Sequence, residues 1–339
     1  MKKILFIAHN SGKACGGYDF GLRWLSYVQN TEKYSWIYRE VRDLDGFDAA
    51  YNEVQPDAVI INLVPIAMGW VGSLVGETLA KYPVPRIVLE HNWSESTVNG
   101  ILEAHFPTFE YLMFSDPSFI PTSPKVFNFS RPLHKYTPEV LNFDPNETVR
   151  IGTFGFPLPH KNFPLLVREV NRLLDNAVIN MHLTAPTFTS NWDAHGNYIQ
   201  HPDFGQAVLD GMMAECRAEI TKPGIFIHHT SDFCSEEEVI RRLAQNHINA
   251  LFYSVPDHNS GISSSMDFML SAQRPILVTN CAVFNHLKPC SVAWPERTFT
   301  DILANLAKFE TGVQDFYQAK LGDINAEATG MMDSIFSQD

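Results

Sequence analysis

The chain has 339 residues, of which 45% are hydrophobic, 19% charged and 12% aromatic. That profile excludes disordered, collagen-like and disulfide-stapled classes, and at about 100–200 residues per domain it favours two domains. Acidic residues outnumber basic ones 38 to 25, for a net charge of −13, which opposes binding to nucleic-acid phosphates or to anionic lipid.

Met1-Lys2-Lys3 precedes Ile4–Ala8, but this apolar run stops at His9-Asn10, too short for the apolar region of a secretory signal. Ile4–Ala8 reads instead as a buried parallel strand. A small-residue loop follows through Gly16-Gly17, and Phe20, Leu22, Trp24, Leu25 and Val28 then recur on one helical face. Ala58–Val64, Arg86–Glu90 and Tyr111–Ser115 are further short apolar runs. Val59–Gly76 approaches the length of a membrane span, but Asn62, Pro65 and three glycines divide it into a strand and a following helix. This rhythm predicts a doubly wound α/β domain.

Between Ser115 and Asn146 stand six prolines (117, 121, 124, 132, 138 and 145) and little periodicity, as suits a crossing between domains. The rhythm then restarts. Strands are expected at Val149–Phe154, Val178–Leu183, Ile225–His228, Ala250–Tyr253 and Pro275–Thr279. Helices are expected at Phe163–Leu174, Phe204–Ile220, Glu236–Gln245 and Ser263–Ala272. The tail from Phe299 to Phe336 reads as helical and able to pack back across the joint. The implied divisions are 1–130, a linker at 131–148, a second α/β domain at 149–310 and a helical tail at 311–339. Cys15, Cys216, Cys234, Cys281 and Cys290 show no paired spacing and read as the reduced thiols of a cytoplasmic protein.

The most informative stretch runs from His258-Asn259-Ser260-Gly261-Ile262-Ser263 through Asp267 to Ser271-Ala272-Gln273-Arg274-Pro275-Ile276. A strand leads into a polar Gly/Ser loop, and a helix opens near Ile262. Its unpaired N–H groups suit either an ordinary serine-rich cap or a phosphate. Asp267, about one turn in, could accept from a ribose diol.

This layout resembles the C-terminal half of GT-B nucleotide-sugar glycosyltransferases of the retaining family 4 type. That family carries two glutamates separated by seven residues, a short apolar helix and x-Pro before a strand. With Asp267 at the second glutamate, Asn259 falls on the first, so both acids depart from the pattern. Upstream, Ile151-Gly152-Thr153-Phe154-Gly155-Phe156 through Lys161-Asn162-Phe163 resembles the family's strand, Gly-Arg-x4-Lys-Gly and helix. Lys161 falls on the lysine that neutralises the donor diphosphate, whose charge grows as the sugar departs. Phe156 replaces the usual arginine. Gly16-Gly17 resembles the family's glycine loop facing the diphosphate, and His91, ending Val88-Leu89-Glu90-His91, its histidine near the transferred sugar and acceptor. Thr230-Ser231-Asp232-Phe233 resembles the loop under the nucleoside base, with Phe233 covering it.

The resemblance implies two Rossmann-like domains facing each other across a cleft. It implies transfer of a sugar from a nucleoside-diphosphate donor to an acceptor hydroxyl, with retention and without an essential metal or other cofactor. His91, Asn259 and Lys161 would carry the chemistry. The diphosphate would lie on Gly16, Gly17, Lys161, Gly261, Ile262 and Ser263, the ribose on Asp267 and the base on Phe233. A fold-retaining protein that binds a nucleotide or sugar without catalysis, and a sugar-nucleotide epimerase, are the alternatives. The 13 histidines include His195 and His201 near Asp193 and Asp203, and the adjacent His228-His229, but no H-x-x-x-H or C-x-x-C spacing organises a metal site. Neither Gly-x-Ser-x-Gly nor Gly-x-Gly-x-x-Gly is present, which disfavours a hydrolase elbow and a dinucleotide fingerprint.

Overall fold

The computed structural model describes residues 1–9, 16–65, 67–91, 108–116, 120–141, 144, 147–185, 188–192, 198–200, 202–254 and 263–337. The first half builds one parallel sheet from β1 (Lys2–His9), β2 (Tyr34–Val41), β3 (Ala58–Asn62), β4 (Arg86–Leu89), β5 (Tyr111–Phe114) and β6 (Val126–Asn128). Their order across the sheet is β2-β1-β3-β4-β5-β6. Helices α1 (Gly16–Tyr27), α2 (Leu44–Val54) and α3 (Gly76–Leu79) connect these strands. Between β3 and α3 the expected helix is a single 3-10 turn, Gly69–Ser73, which buries Trp70 and Val71.

The second half repeats the plan. Its strands are β7 (Val149–Gly155), β8 (Ala177–Leu183), β11 (Ile225–Thr230), β12 (Ile248–Leu251), β13 (Ile276–Thr279) and β14 (Val292–Trp294). They lie in the order β11-β8-β7-β12-β13-β14, again all parallel. Helices α4 (Phe163–Leu173), α5 (Pro202–Ala218), α6 (Glu236–Ala244) and α7 (Ser265–Ser271) connect them, and a small antiparallel hairpin, β9 (Phe188–Trp192) with β10 (Tyr198–Gln200), precedes α5. Strands such as Ala58–Asn62 and Ile248–Leu251 are buried at every position, which is why they read as continuous apolar runs.

The tail is three helices: α8 (Phe299–Leu303), α9 (Leu306–Lys320) and α10 (Ile324–Phe336). Helix α10 crosses back to the first half. Ile324, Ala328, Met331, Met332 and Ile335 recur at helical spacing and join a core with Ile4, Phe6 and Trp24. Gln29 donates to Asn325, and Asp333 holds Lys33 and Tyr34, at the same junction. Two doubly wound sheets with a returning C-terminal helix are thus the architecture expected. In each sheet the order reverses beside the first strand (β1/β3 and β7/β12), and open α/β sheets place ligands beyond the carboxyl ends of the strands at such points.

Candidate functional site

A cavity of about 510 Å³ lies where the two switch points face each other. From the first half, Gly16, Gly17, Asp19, Glu90, His91 and Ser115 reach it; from the second, Gly155, Lys161, His182, Phe233, Glu236 and Ser263–Ser265 do.

The two glycines are the first residues of α1 rather than a loop before it. A Cβ on Gly16 would come within 2.7 Å of Ser264 Oγ across the cleft, and one on Gly17 within 3.0 Å of both His91 and Val64. At Gly21 it would meet Asn62 at 2.2 Å. The missing side chains therefore let the helix seat against Asn62 and His91, which form a relay. Asn62 Nδ2 donates to the Gly17 carbonyl at 3.1 Å, and Asn62 Oδ1 lies 2.6 Å from His91 Nε2. This assigns the proton to Nε2 and leaves Nδ1 as an acceptor. Burial pushes the His91 pKa down to about 4, with Arg131 and His9 adding to the effect and Glu90 opposing it. His91 is therefore neutral at pH 7.

Lys161 ends a 3-10 turn after β7 and is 6% exposed. Its ammonium donates to Ser265 Oγ at 3.3 Å, and among the described residues it has no ion pair. Gly155, at φ +139°, makes room for it, because a Cβ there would lie 2.3 Å from Nζ. Phe156 faces the same ammonium, with its ring 6.0 Å away. Ser263 bonds the Tyr253 hydroxyl at 3.1 Å, and Phe233 lies on the cavity wall 61% exposed. Near it His182 stacks on Phe154 and meets Thr230, Arg242 and Cys234. Burial, followed by Arg242, holds its pKa down at about 4.

Asp267 lies elsewhere than on the cavity wall. It is 2% exposed and its carboxylate accepts from Arg131 Nε at 2.8 Å and Nη2 at 2.5 Å, and from Arg23 Nη1 at 3.3 Å. Arg23 also pairs with Glu236 at 2.7 Å, and His134 approaches Glu236 at 3.1 Å. Burial raises the Glu236 pKa, but the close approach of His134 and the hydrogen bonds from Arg23 outweigh it and hold the group at about 2. Asp19 faces this cluster, and burial with Glu236 pushes its pKa up to about 7 against Arg23.

The structure thus brings Gly16, Gly17, His91, Lys161, Ser263 and Phe233 to one cavity. Asn259, Gly261 and Ile262 fall outside the described residues, and α7 begins at Ser265, after Ser263 and Ser264, rather than near Ile262 or at Ser263 as expected. Asp19, Glu90, Ser115, Arg131, His182 and Glu236 were not singled out by sequence. A glycine pair entering a helix could have signalled the crowding at α1, whereas charged residues on helix faces carry no signal of their partners. Among the described residues no group of three His, Cys, Asp or Glu side chains is placed to hold a metal ion, and no helix is long and apolar enough to cross a membrane.

No protein-family model matches the chain, and neither does any curated protein sequence. Solved structures do resemble it in fold. A UDP-forming α,α-trehalose-phosphate synthase from Burkholderia xenovorans, in complex with glucose-6-phosphate, is 11% identical with a TM-score of 0.56, covering 99% of this chain and 100% of that one. MurG of Acinetobacter baumannii is 11% identical with a TM-score of 0.53, covering 99% and 100%. An α-glucosyltransferase in complex with UDP-glucose and DNA containing an abasic site is 11% identical with a TM-score of 0.51, covering 99% and 95%. The likeness spans both halves and is that of a GT-B glycosyltransferase fold.

Proposed function

We propose that the protein is a glycosyltransferase that moves a sugar from a nucleoside-diphosphate donor to an acceptor hydroxyl. The observation that carries this is the Lys161 ammonium, buried at the cavity with a serine hydroxyl for its hydrogen-bond partner and no ion pair among the described residues. A buried charge without a counter-charge is costly, and a diphosphate supplies one. As the glycosidic bond breaks, negative charge grows on the departing diphosphate, and a fixed cation stabilises that change most. Gly16 and Gly17 let the first half approach the same phosphates. The neutral His91 would accept from a hydroxyl of the transferred sugar through Nδ1. Phe233, beside the stacked Phe154–His182 pair, would cover the base. Retention and independence of metal are carried over from the family 4 resemblance, with Asn259 in the position of its first glutamate.

Asp267 favours a second reading. Held by two arginines, it has less capacity left for a ribose diol, as fits a nucleotide-binding protein without turnover. Calorimetric titration with UDP, GDP and ADP, followed by donor-consumption assays on their sugars, separates the two. One diphosphate should bind, and Lys161→Met should weaken it by roughly ten- to a hundredfold, the worth of one charge-assisted hydrogen bond. If no diphosphate binds, both readings fail; binding without turnover of any donor selects the second.

A further inference from the structure

His182, one residue from the end of β8, is buried at the cavity wall, where its ring stacks on Phe154. The contacts of its two nitrogens fix where its proton stands. Arg242 Nη1 lies 3.1 Å from Nδ1, and Thr230 Oγ1 lies 2.7 Å from it. An arginine has donors only, so Nδ1 accepts, the ring is uncharged and its one proton is on Nε2. Asp232, with bonds of 2.9 and 2.8 Å, and Glu238, at 2.8 Å, hold Arg242 in place. The Nε2–H is directed to Cys234 Sγ at 3.4 Å, and sulfur is a weak acceptor. Cys234 also lines the cavity, and burial raises its pKa, so it remains a thiol. His182 has no lone pair left to take the thiol proton, which excludes a nucleophilic Cys–His pair.

Lys161 follows β7, and β8 and then β11 lie next to it in the sheet. Phe233 and Cys234, just after β11, therefore stand two strand spacings, or about 10 Å, across the sheet from the end of β7. A ribose and an α-phosphate bridge such a gap. A nucleotide with its outer phosphate on Lys161 would then lay its base on Phe233, with one edge towards His182 and Cys234. The two groups that meet this edge are donors, an imidazole N–H and a thiol S–H. A carbonyl oxygen can accept from both through its two lone pairs. An exocyclic amino group would set its own hydrogens against them and leave all of them unpaired.

We propose that His182 and Cys234 select a nucleotide whose base carries a keto group at this edge (uracil, guanine or hypoxanthine) over one with an amino group (cytosine or adenine). Arg242 is the positioning residue that fixes the His182 tautomer. The proposal rests on the nucleoside-diphosphate binding proposed above; the direction of the selectivity rests on the ring proton. Calorimetric titration compares UDP with CDP, and IDP and GDP with ADP. The UDP/CDP and IDP/ADP pairs each exchange a keto for an amino group at one ring position. The keto member should bind tighter by about tenfold or more, the worth of one hydrogen bond made rather than left unpaired. His182→Phe keeps a ring for the stack and removes the N–H, so the diphosphate should still bind and the ratio should fall towards one. Nitrogen-15 NMR of the free protein should show His182 in the Nε2–H tautomer alone. Arg242→Met should add the Nδ1–H tautomer and lower the selectivity, while far-UV circular dichroism stays the same. The proposal is overturned by CDP or ADP binding as tightly as its keto counterpart, by a wild-type proton on Nδ1, or by His182→Phe leaving the ratio intact. Equal binding within each pair would reject the selectivity and keep the nucleotide site. Keto selectivity without turnover of any donor would keep the selectivity and reject the transferase. No binding of any of the five diphosphates would reject both.

Discussion

The carboxyl of Asp19 sits in the first turn of α1, where the helix dipole favours an anion. Burial and the Glu236 carboxylate across the seam nevertheless raise its pKa from the ordinary 3.8 to about 7, with Arg23 opposing. An acid whose folded pKa lies above its unfolded value binds more protons when folded. Its contribution is therefore favourable at low pH and is lost as pH rises from about 4 to 7. Asp19→Asn removes the charge and keeps the shape. The variant should match the wild type near pH 4 and exceed it by about 1–2 kcal/mol at pH 8, a figure reduced for partial solvent access. Urea unfolding at the two pH values checks this. A difference that is the same at both would mean Asp19 ionises as it does in water. Another residue-level constraint is Gly155, whose φ of +139° and Cβ position 2.3 Å from Lys161 Nζ admit no side chain. Gly155→Ala should cost about 1–3 kcal/mol and displace the ammonium. Nucleoside diphosphate affinity should fall with it, and an unaltered affinity would detach Lys161 from the phosphates.

At the scale of elements, the strands that a sequence displays best are those buried on both faces. Ile4–Ala8, Ala58–Val64 and Ala250–Tyr253 each fall on a strand observed within a residue or two of its expected ends. Strand β2, Tyr34–Val41, was missed because it is an edge strand. Its six central residues are only half-buried or exposed, so Tyr, Ser, Trp and Arg interleave without a clean period. Strand β14 is three residues long and carries too little pattern to detect. The site follows the same logic. Glycines and a lysine after a strand are visible in sequence, because backbone approach and a fixed charge need those residue types. Arg23, Arg131 and Glu236 were not visible, since a charged helix face usually means solvent. Here the contacts to Asp267 span 244 residues from Arg23 and 136 from Arg131. Helix α10 falls between these cases. Its apolar stripe is plain in Ile324, Ala328, Met331, Met332 and Ile335, but nothing in the stripe names the first half as the surface it covers.

For the whole molecule, the two halves are joined by a buried ionic seam as well as by α10. Arg23 of α1 and Arg131 of the connection face Asp267 and Glu236 of the second half, so two cations meet two carboxylates. Tyr27 adds a hydrogen bond to the Leu133 carbonyl. Such a seam contributes less to stability than its Coulomb attraction suggests, because both partners lose water, but removing one partner strands the others. Asp267→Ala leaves Glu236 alone to meet two guanidinium groups. It should destabilise the protein by about 3–5 kcal/mol, against at most about 1 kcal/mol for breaking the exposed Lys33–Asp333 pair. Because the seam closes the cavity between the switch points, its loss should also let the halves separate. Solution scattering on Asp267→Ala should give a larger radius of gyration than the wild type, while far-UV circular dichroism stays the same because each sheet keeps its own core. A nucleoside diphosphate that touches Lys161 on one half and the Gly16 backbone on the other should reverse much of that expansion, through charges the seam does not use. Unchanged scattering together with unchanged stability would show that α10 and the connection hold the halves together unaided, and that the ionic seam only fills space between them.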